Sequence, residues 1–216
     1  MNELLARVWS LFVEPAPAAA RRARAAPRSV PSVALLCAPV DALGTGALLA
    51  LGLAHAHRAP AGLLCLWGAG EHAVPAWTVP AFPGARRVLG ALATHGLDAQ
   101  ASGRLVRLAL PDDPEAALAA ATRSGAVAGV PTVAVLSAPR TPALDQLLVA
   151  QDLAVVAQRA DADPALGRLA RQSLASLRVP AVTCPFTPGL CARALAPAGI
   201  AWGGRPAFQP AMAALT

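Results

Sequence analysis

Six short apolar runs alternate along the chain with segments of helical periodicity, and this alternation constrains the fold more than any other feature. The runs are VALLC at 33–37, LLCLW at 63–67, LVRLAL at 105–110, TVAVL at 132–136, LAVVA at 153–157 and AVTC at 181–184. A run of this length without polar alternation reads as a strand covered on both faces. Helices are expected at 44–57, 85–95, 114–124, 141–150 and 164–177. Pro114 behind Asp112 and Asp113, and Pro164 behind Asp163, are helix N-terminal signals. Buried strands separated by helices imply a mostly parallel sheet between helical layers. The expected fold is therefore α/β, a three-layer doubly wound domain over residues 32–216. The stretch 186–216 is rich in Pro, Gly and Ala, and one further helix is expected near 189–196.

Two segments precede that domain. Residues 2–13 place Leu4, Leu5, Val8, Trp9, Leu11, Phe12 and Val13 on a wide apolar arc, with Glu3, Arg7 and Ser10 on the narrow polar one. That pattern predicts a short amphipathic helix over 1–13. Residues 14–31 are Ala, Pro and Arg without periodicity and read as a linker.

Composition excludes several chemistries. All 18 basic residues of the 216 are arginine; the chain has no lysine and no tyrosine. It thus lacks a Schiff-base lysine, a Ser–Lys pair and a lysine-bearing phosphate loop. The net charge of +6 divides evenly: Arg21, Arg22, Arg24 and Arg28 against Glu14 in the linker, and 13 arginines against 10 acids in residues 32–216. A body this mildly basic predicts no nucleic-acid partner. Cys37, Cys65, Cys184 and Cys191 form no Cys-x-x-Cys pair and have no histidine at ligand spacing, so no metal is expected. Glu3, Arg7 and Ser10 interrupt the first apolar stretch, which predicts no secretory leader. No run reaches the length of a spanning helix. These features point to a cytoplasmic chain with reduced thiols.

The first run continues into APVDALGTGALLALGLAHAH, a loop entering a helix. In order and spacing, residues 33–184 resemble the MinD/ParA family of deviant-Walker P-loop ATPases, and the resemblance implies a P-loop NTPase-like fold. The family's loop has the form S-G-K-G-G-x-G-K-T-T. Aligned without a gap, Ala38 and Pro39 take its first two places and Val40 stands for its signature lysine. Asp41 and Ala42 stand for its two glycines, Gly44 keeps the later glycine, Thr45 replaces the P-loop lysine, and Gly46 replaces the Mg²⁺-binding hydroxyl. Trp67 and Ala69 stand where the family has Asp-x-Asp, and Ser137 stands at its metal-side Asp. The segment 139–170 is the part most like the family.

A triphosphate with Mg²⁺ needs converging N–H groups, a cation on its β/γ oxygens and an oxygen ligand for the metal. Pro39 removes one N–H. Asp41 sets a carboxylate where a phosphate would lie, a repulsion of about 1–4 kcal/mol at ~4 Å depending on dielectric. No arginine of the loop replaces either lysine. The resemblance implies the fold, while the residues argue against the reaction and against a nucleotide cofactor.

Other groupings are weaker. Ser137 with His72 or His95 lacks a Gly-x-Ser-x-Gly elbow, and His55 and His57 fall on different faces of a helix. Asp41 also reads simply as a charge at a helix N-terminus. In the loop 72–87, Trp77 and Phe82 lie among Pro75, Pro80 and Pro83, with Arg86 and Arg87 behind. Such aromatics either anchor a partner at low entropic cost or cover the chain's own sheet edge. Leu5, Trp9 and Phe12 would meet a membrane surface, a groove on a partner or the chain's own domain. MinD-like proteins use a comparable helix at the other terminus.

The sequence reading is therefore a non-catalytic pseudo-ATPase, a scaffold or localisation factor for a larger assembly. TadZ/CpaE-like proteins, which position pilus or secretion machinery, are the nearest functional relatives by resemblance. Expected partners are another protein or a second copy of the chain, with peripheral membrane contact through residues 2–28. The alternative is a small-ligand-binding enzyme of another doubly wound α/β family.

Overall fold

The computed structural model describes residues 30–38, 41–67, 80–136, 142–161, 163–187 and 208–215. The expected helix over 1–13 and most of the linker lie outside these residues, as does the helix expected near 189–196. Seven strands form one sheet: β1 (Ser32–Leu36), β2 (Gly62–Trp67), β3 (Ala99–Ser102), β4 (Leu105–Ala109), β5 (Thr132–Leu136), β6 (Leu153–Arg159) and β7 (Ala181–Phe186). The helices are α1 (Ala42–Ala56), α2 (Ala85–Ala93), α3 (Pro114–Ala128), α4 (Pro142–Val149), α5 (Pro164–Ser176) and α6 (Gln209–Leu215). The sheet order is β3-β4-β2-β5-β1-β6-β7, parallel throughout except for β3 against β4. The fold is α/β, three-layer and doubly wound, as the alternation of apolar runs implies.

Period-two alternation sorts each strand's side chains between two cores. Val33 and Leu35 of β1 join Leu64, Val133, Val135 and Val155 on the α1 side. Ala34 and Leu36 join Leu63, Cys65, Val106, Ala134 and Val156 beneath α2, α3, α4 and α5. The distribution of helices follows from chirality. The crossovers through α3, α4 and α5 carry the chain toward β7, whereas the one through α1 runs from β1 toward β3. A right-handed crossover in the opposite direction must pass over the opposite face. Hence α1 covers the middle of its face without a neighbouring crossover helix, and α6 packs beside it over β6 and β7.

That position explains the composition of α1. Eleven of its fifteen residues are buried, including Leu48, Leu49, Leu51 and Leu53, because the sheet lies on one side and α6 against another. Glycines set the spacing. A methyl on Gly46 would lie 2.6 Å from Val135 Cγ2 and 2.7 Å from Leu64 Cδ1, and one on Gly62 would overlap the Ala50 backbone carbonyl. The helix therefore approaches the sheet closer than any side chain allows.

At the amino-terminal edge of the sheet a polar latch ties β1 to its neighbours. The Ser32 hydroxyl bonds Gln151 and lies 3.5 Å from the Thr122 hydroxyl, while the Ser32 N–H donates to Asp152 Oδ2 at 2.8 Å. Gln151 Nε2 in turn donates to the Leu147 carbonyl at 3.1 Å. Ser32, Thr122 and Gln151 are buried, so their mutual bonding replaces lost water.

Three elements differ from the sequence reading. β3 (AQAS) lacks β-branched residues and an apolar run; pairing with β4 across a turn at Gly103, φ 55°, makes it a strand. α3 continues past Ser124 to Ala128 and ends at Gly129 in the left-handed region, φ 68°, the usual C-terminal device. α6 arises within QPAMAAL, a segment too short for periodicity to declare it.

Gly62→Ala should destabilise the fold by about 1–3 kcal/mol through overpacking. Gly90→Ala, in α2 with nothing within 4 Å of the added methyl, should stabilise it by up to about 1 kcal/mol. Urea unfolding of both variants measures the contrast. Ser32→Ala should cost about 1–3 kcal/mol by leaving buried latch groups unpaired.

Candidate functional site

After β1 the chain moves toward β2, and after β6 it moves toward β7, while β1 and β6 are neighbours. Their carboxyl ends therefore flank the point where the winding reverses, the position at which doubly wound sheets open a crevice. From the β1 side, Cys37 and Ala38 lead to Asp41, whose N–H donates to the Ala38 carbonyl at 3.0 Å. Asp41 is the residue before α1, yet its carboxylate makes no capping bond to the helix. Its Oδ2 is buried and has no hydrogen-bond partner among the described residues. Desolvation pushes the Asp41 carboxyl above the usual carboxylate range; the charge of Arg159 pulls it down and that of Asp161 pushes it up.

Arg159 is the last residue of β6. Alternation from Val155 and Ala157 puts it on the α1 side of the sheet. Its Nε and Nη2 donate to the two oxygens of Asp161, each at 3.0 Å, a bidentate pair. The hydrogen bond from Arg159 is the main reason the Asp161 carboxyl lies below its ordinary range, and it raises Arg159 in turn. With side chains 45% and 68% exposed, the pair adds little stability; its effect is to occupy the guanidinium. The turn between them is fixed on both sides. The Ala160 N–H donates to the Phe186 carbonyl of β7 at 2.9 Å, Gln158 Nε2 donates to the Asp163 carbonyl at 2.7 Å, and Asp163 Oδ1 caps α5 through the Ala165 N–H at 2.8 Å.

Among the described residues, the carboxyl ends of β1 and β6 thus bring together two carboxylates and one already paired guanidinium. A polyphosphate placed there would meet net negative charge, and the positive end of α1 faces Asp41. The other loop residues do not supply the missing chemistry. Gly44, Thr45 and Gly46 lie inside α1 and are buried, Thr45 completely, so they pack the helix on the sheet. Val40 lies outside the described residues, as do Ser137 and Ala69. Trp67, at the end of β2, is half-buried against the α2–α5 core.

The partner-facing candidates separate. Phe82 is buried in the same core, its N–H donating to the Gly103 carbonyl at 2.9 Å, so its ring covers the chain's own sheet edge. Arg86 and Arg87 are exposed on the first turn of α2. Leu5, Trp9, Phe12 and Trp77 lie outside the described residues. Cys37, Cys65 and Cys184 are unbridged; burial pushes up the thiols of Cys65 and Cys184, the latter to about 11. Among the described residues no group of three His, Cys, Asp or Glu side chains is arranged to hold a metal ion, and no helix is long and apolar enough to cross a membrane.

Compared with models of known families, with curated proteins and with solved structures, the chain matches none.

Arg159 and Asp161 were not among the sequence candidates. Their signal, an Arg-x-Asp at a strand end followed by an Asp-Pro helix start, gains meaning only once β6 is known to lie beside β1.

Because the Asp41 carboxyl is raised in the folded state, its contribution to stability is complete below its unfolded pKa and is lost as pH rises through its folded pKa. Carboxyl-detected NMR titration should find Asp41 above the ordinary range. Arg159→Gln should move it higher and Asp161→Asn lower, and Asp41→Asn should remove that part of the pH dependence of stability.

Proposed function

We propose that this chain is a non-catalytic, MinD/ParA-like pseudo-ATPase that serves as a scaffold or localisation factor for a larger assembly. One observation carries the reading. Where a nucleotide-binding relative would direct free N–H groups and a lysine at phosphate, this chain sets the Asp41 carboxylate at the head of α1, beside an arginine already held by Asp161. Reversed charge at that point opposes binding of the triphosphate, and without binding there is no hydrolysis.

A domain without nucleotide chemistry acts through its surfaces. In this reading residues 2–13, tethered by 14–31, form a docking arm in the cytoplasm. Leu5, Trp9 and Phe12 supply its apolar contacts, and Trp77 with Arg86 and Arg87 supplies a second contact to a protein partner or a second copy. The assembly best suited to this role is pilus or secretion machinery, which TadZ/CpaE-like proteins position.

The raised Asp41 carboxyl favours a second reading, an acid acting on a small polar ligand in the same crevice. The two separate in one pair of measurements. Equilibrium dialysis of the purified chain against labelled ATP with Mg²⁺ should show no saturable binding in the micromolar range; micromolar affinity would refute the pseudo-ATPase reading. Mass spectrometry of the denatured chain should release no stoichiometric small molecule, whereas a co-purifying metabolite would favour the enzyme.

A further inference from the structure

The described arginines divide by face. On the α1 side and its margins, Arg104 donates to the Ala59 and Pro60 carbonyls, Arg107 to Gln100 and Arg159 to Asp161, and only Arg58, just past α1, is exposed without a side-chain partner among the described residues. On the opposite side six more are exposed: Arg86 and Arg87 on α2, Arg123 on α3, Arg168 and Arg171 on α5, and Arg178 just past its end. None of these six has an ion pair or side-chain hydrogen bond among the described residues. The acids within the four helices do not balance them. Asp145 is buried, and Glu115, half-buried at the head of α3, already has an interaction partner. The remaining described acids nearby, Asp98, Asp112, Asp113, Asp152 and Asp163, lie on loops at the two ends of the sheet.

The layout of these charges indicates what they meet. α2 packs over β3 and α5 over β6 and β7, near opposite edges of the sheet. At ~4.8 Å per strand the two arginine groups stand about 25 Å apart, with Arg123 between them. A pocket would need them to converge, and a single nucleic-acid strand would need them to follow one track. Spread over one broad helical layer, neither gathered at a point nor drawn along one track, they fit an extended surface of negative charges. In sequence, residues 2–13 carry the pattern of an amphipathic helix and are followed by Arg21, Arg22, Arg24 and Arg28; an apolar face beside cations is a second membrane signal, and a nucleic-acid partner would not use the apolar part.

We infer that the α2–α5 face rests on an anionic lipid surface, with phosphate-bearing headgroups against its six exposed arginines. This extends the localisation half of the proposed function and does not depend on the nucleotide reading.

Flotation of the full chain with phosphatidylcholine vesicles, with and without phosphatidylglycerol, tests it. Binding is expected only with the anionic lipid and should weaken with salt. Arg168→Gln/Arg171→Gln should lower the partition coefficient about 25-fold, as should Arg86→Gln/Arg87→Gln on the far helix, whereas Arg58→Gln, outside the face, should change it less than about twofold. Leu5→Glu/Phe12→Glu in the full chain tests the arm separately. Loss on the arm substitutions with no effect of the face pairs would overturn the face and leave the arm. Absence of anionic-vesicle binding would overturn the inference, as would face pairs that weaken binding to double-stranded DNA but not to vesicles.

Discussion

The rest of the structure depends on the close seating of α1 on the sheet. Gly46 and Gly62 remove the side chains that would hold helix and strands apart, so Leu64, Val135 and the Ala50 backbone come into direct contact. Because chirality leaves α1 without a flanking crossover helix, its apolar residues must cover the central strands themselves. The same seating fixes the helix start beside the end of β1, and thereby holds Asp41 at the reversal point of the winding. Fold and site therefore meet at a single junction. The Thr45 side chain, wholly buried in that packing, cannot also reach a ligand, and Gly46 has none to offer.

The electrostatics of the junction give it its character. A carboxylate before a helix is ordinarily stabilised by the helix dipole. Asp41 makes no capping bond, has a buried oxygen without a partner, and is raised by desolvation. The cation that would relieve it is held bidentately by Asp161. Among the described residues such an arrangement sets two carboxylates against one guanidinium, a charge balance that opposes a phosphate there. The outer helical layer has the opposite sign, so the described residues separate a negative β1–β6 junction from a positive face.

Much of the architecture was legible in the sequence because buried parallel strands are nearly pure apolar runs. VALLC, LLCLW, TVAVL and LAVVA each became a strand, and Asp-Pro steps marked the starts of α3 and α5. β3 was not legible, since AQAS is a strand only through its pairing with β4. α6 was hidden by its length. At the site, Asp41 could be identified from its place between a strand and a helix. Arg159 and Asp161, 118 and 120 positions away in sequence, could not, because chain order does not reveal that β6 adjoins β1. Phe82 was ambiguous for a different reason: a proline-bounded aromatic has the same local pattern whether it covers its own core or a partner's.

The central claim is that the β1–α1 junction does not accept a nucleotide triphosphate. Amide chemical-shift mapping of the isotopically labelled chain during titration with Mg²⁺–ATP tests it at that place. The account predicts no saturable shift at the amides of Asp41, Ala42, Gly44, Thr45 and Gly46 at submillimolar nucleotide. Saturable shifts concentrated at those amides would contradict it.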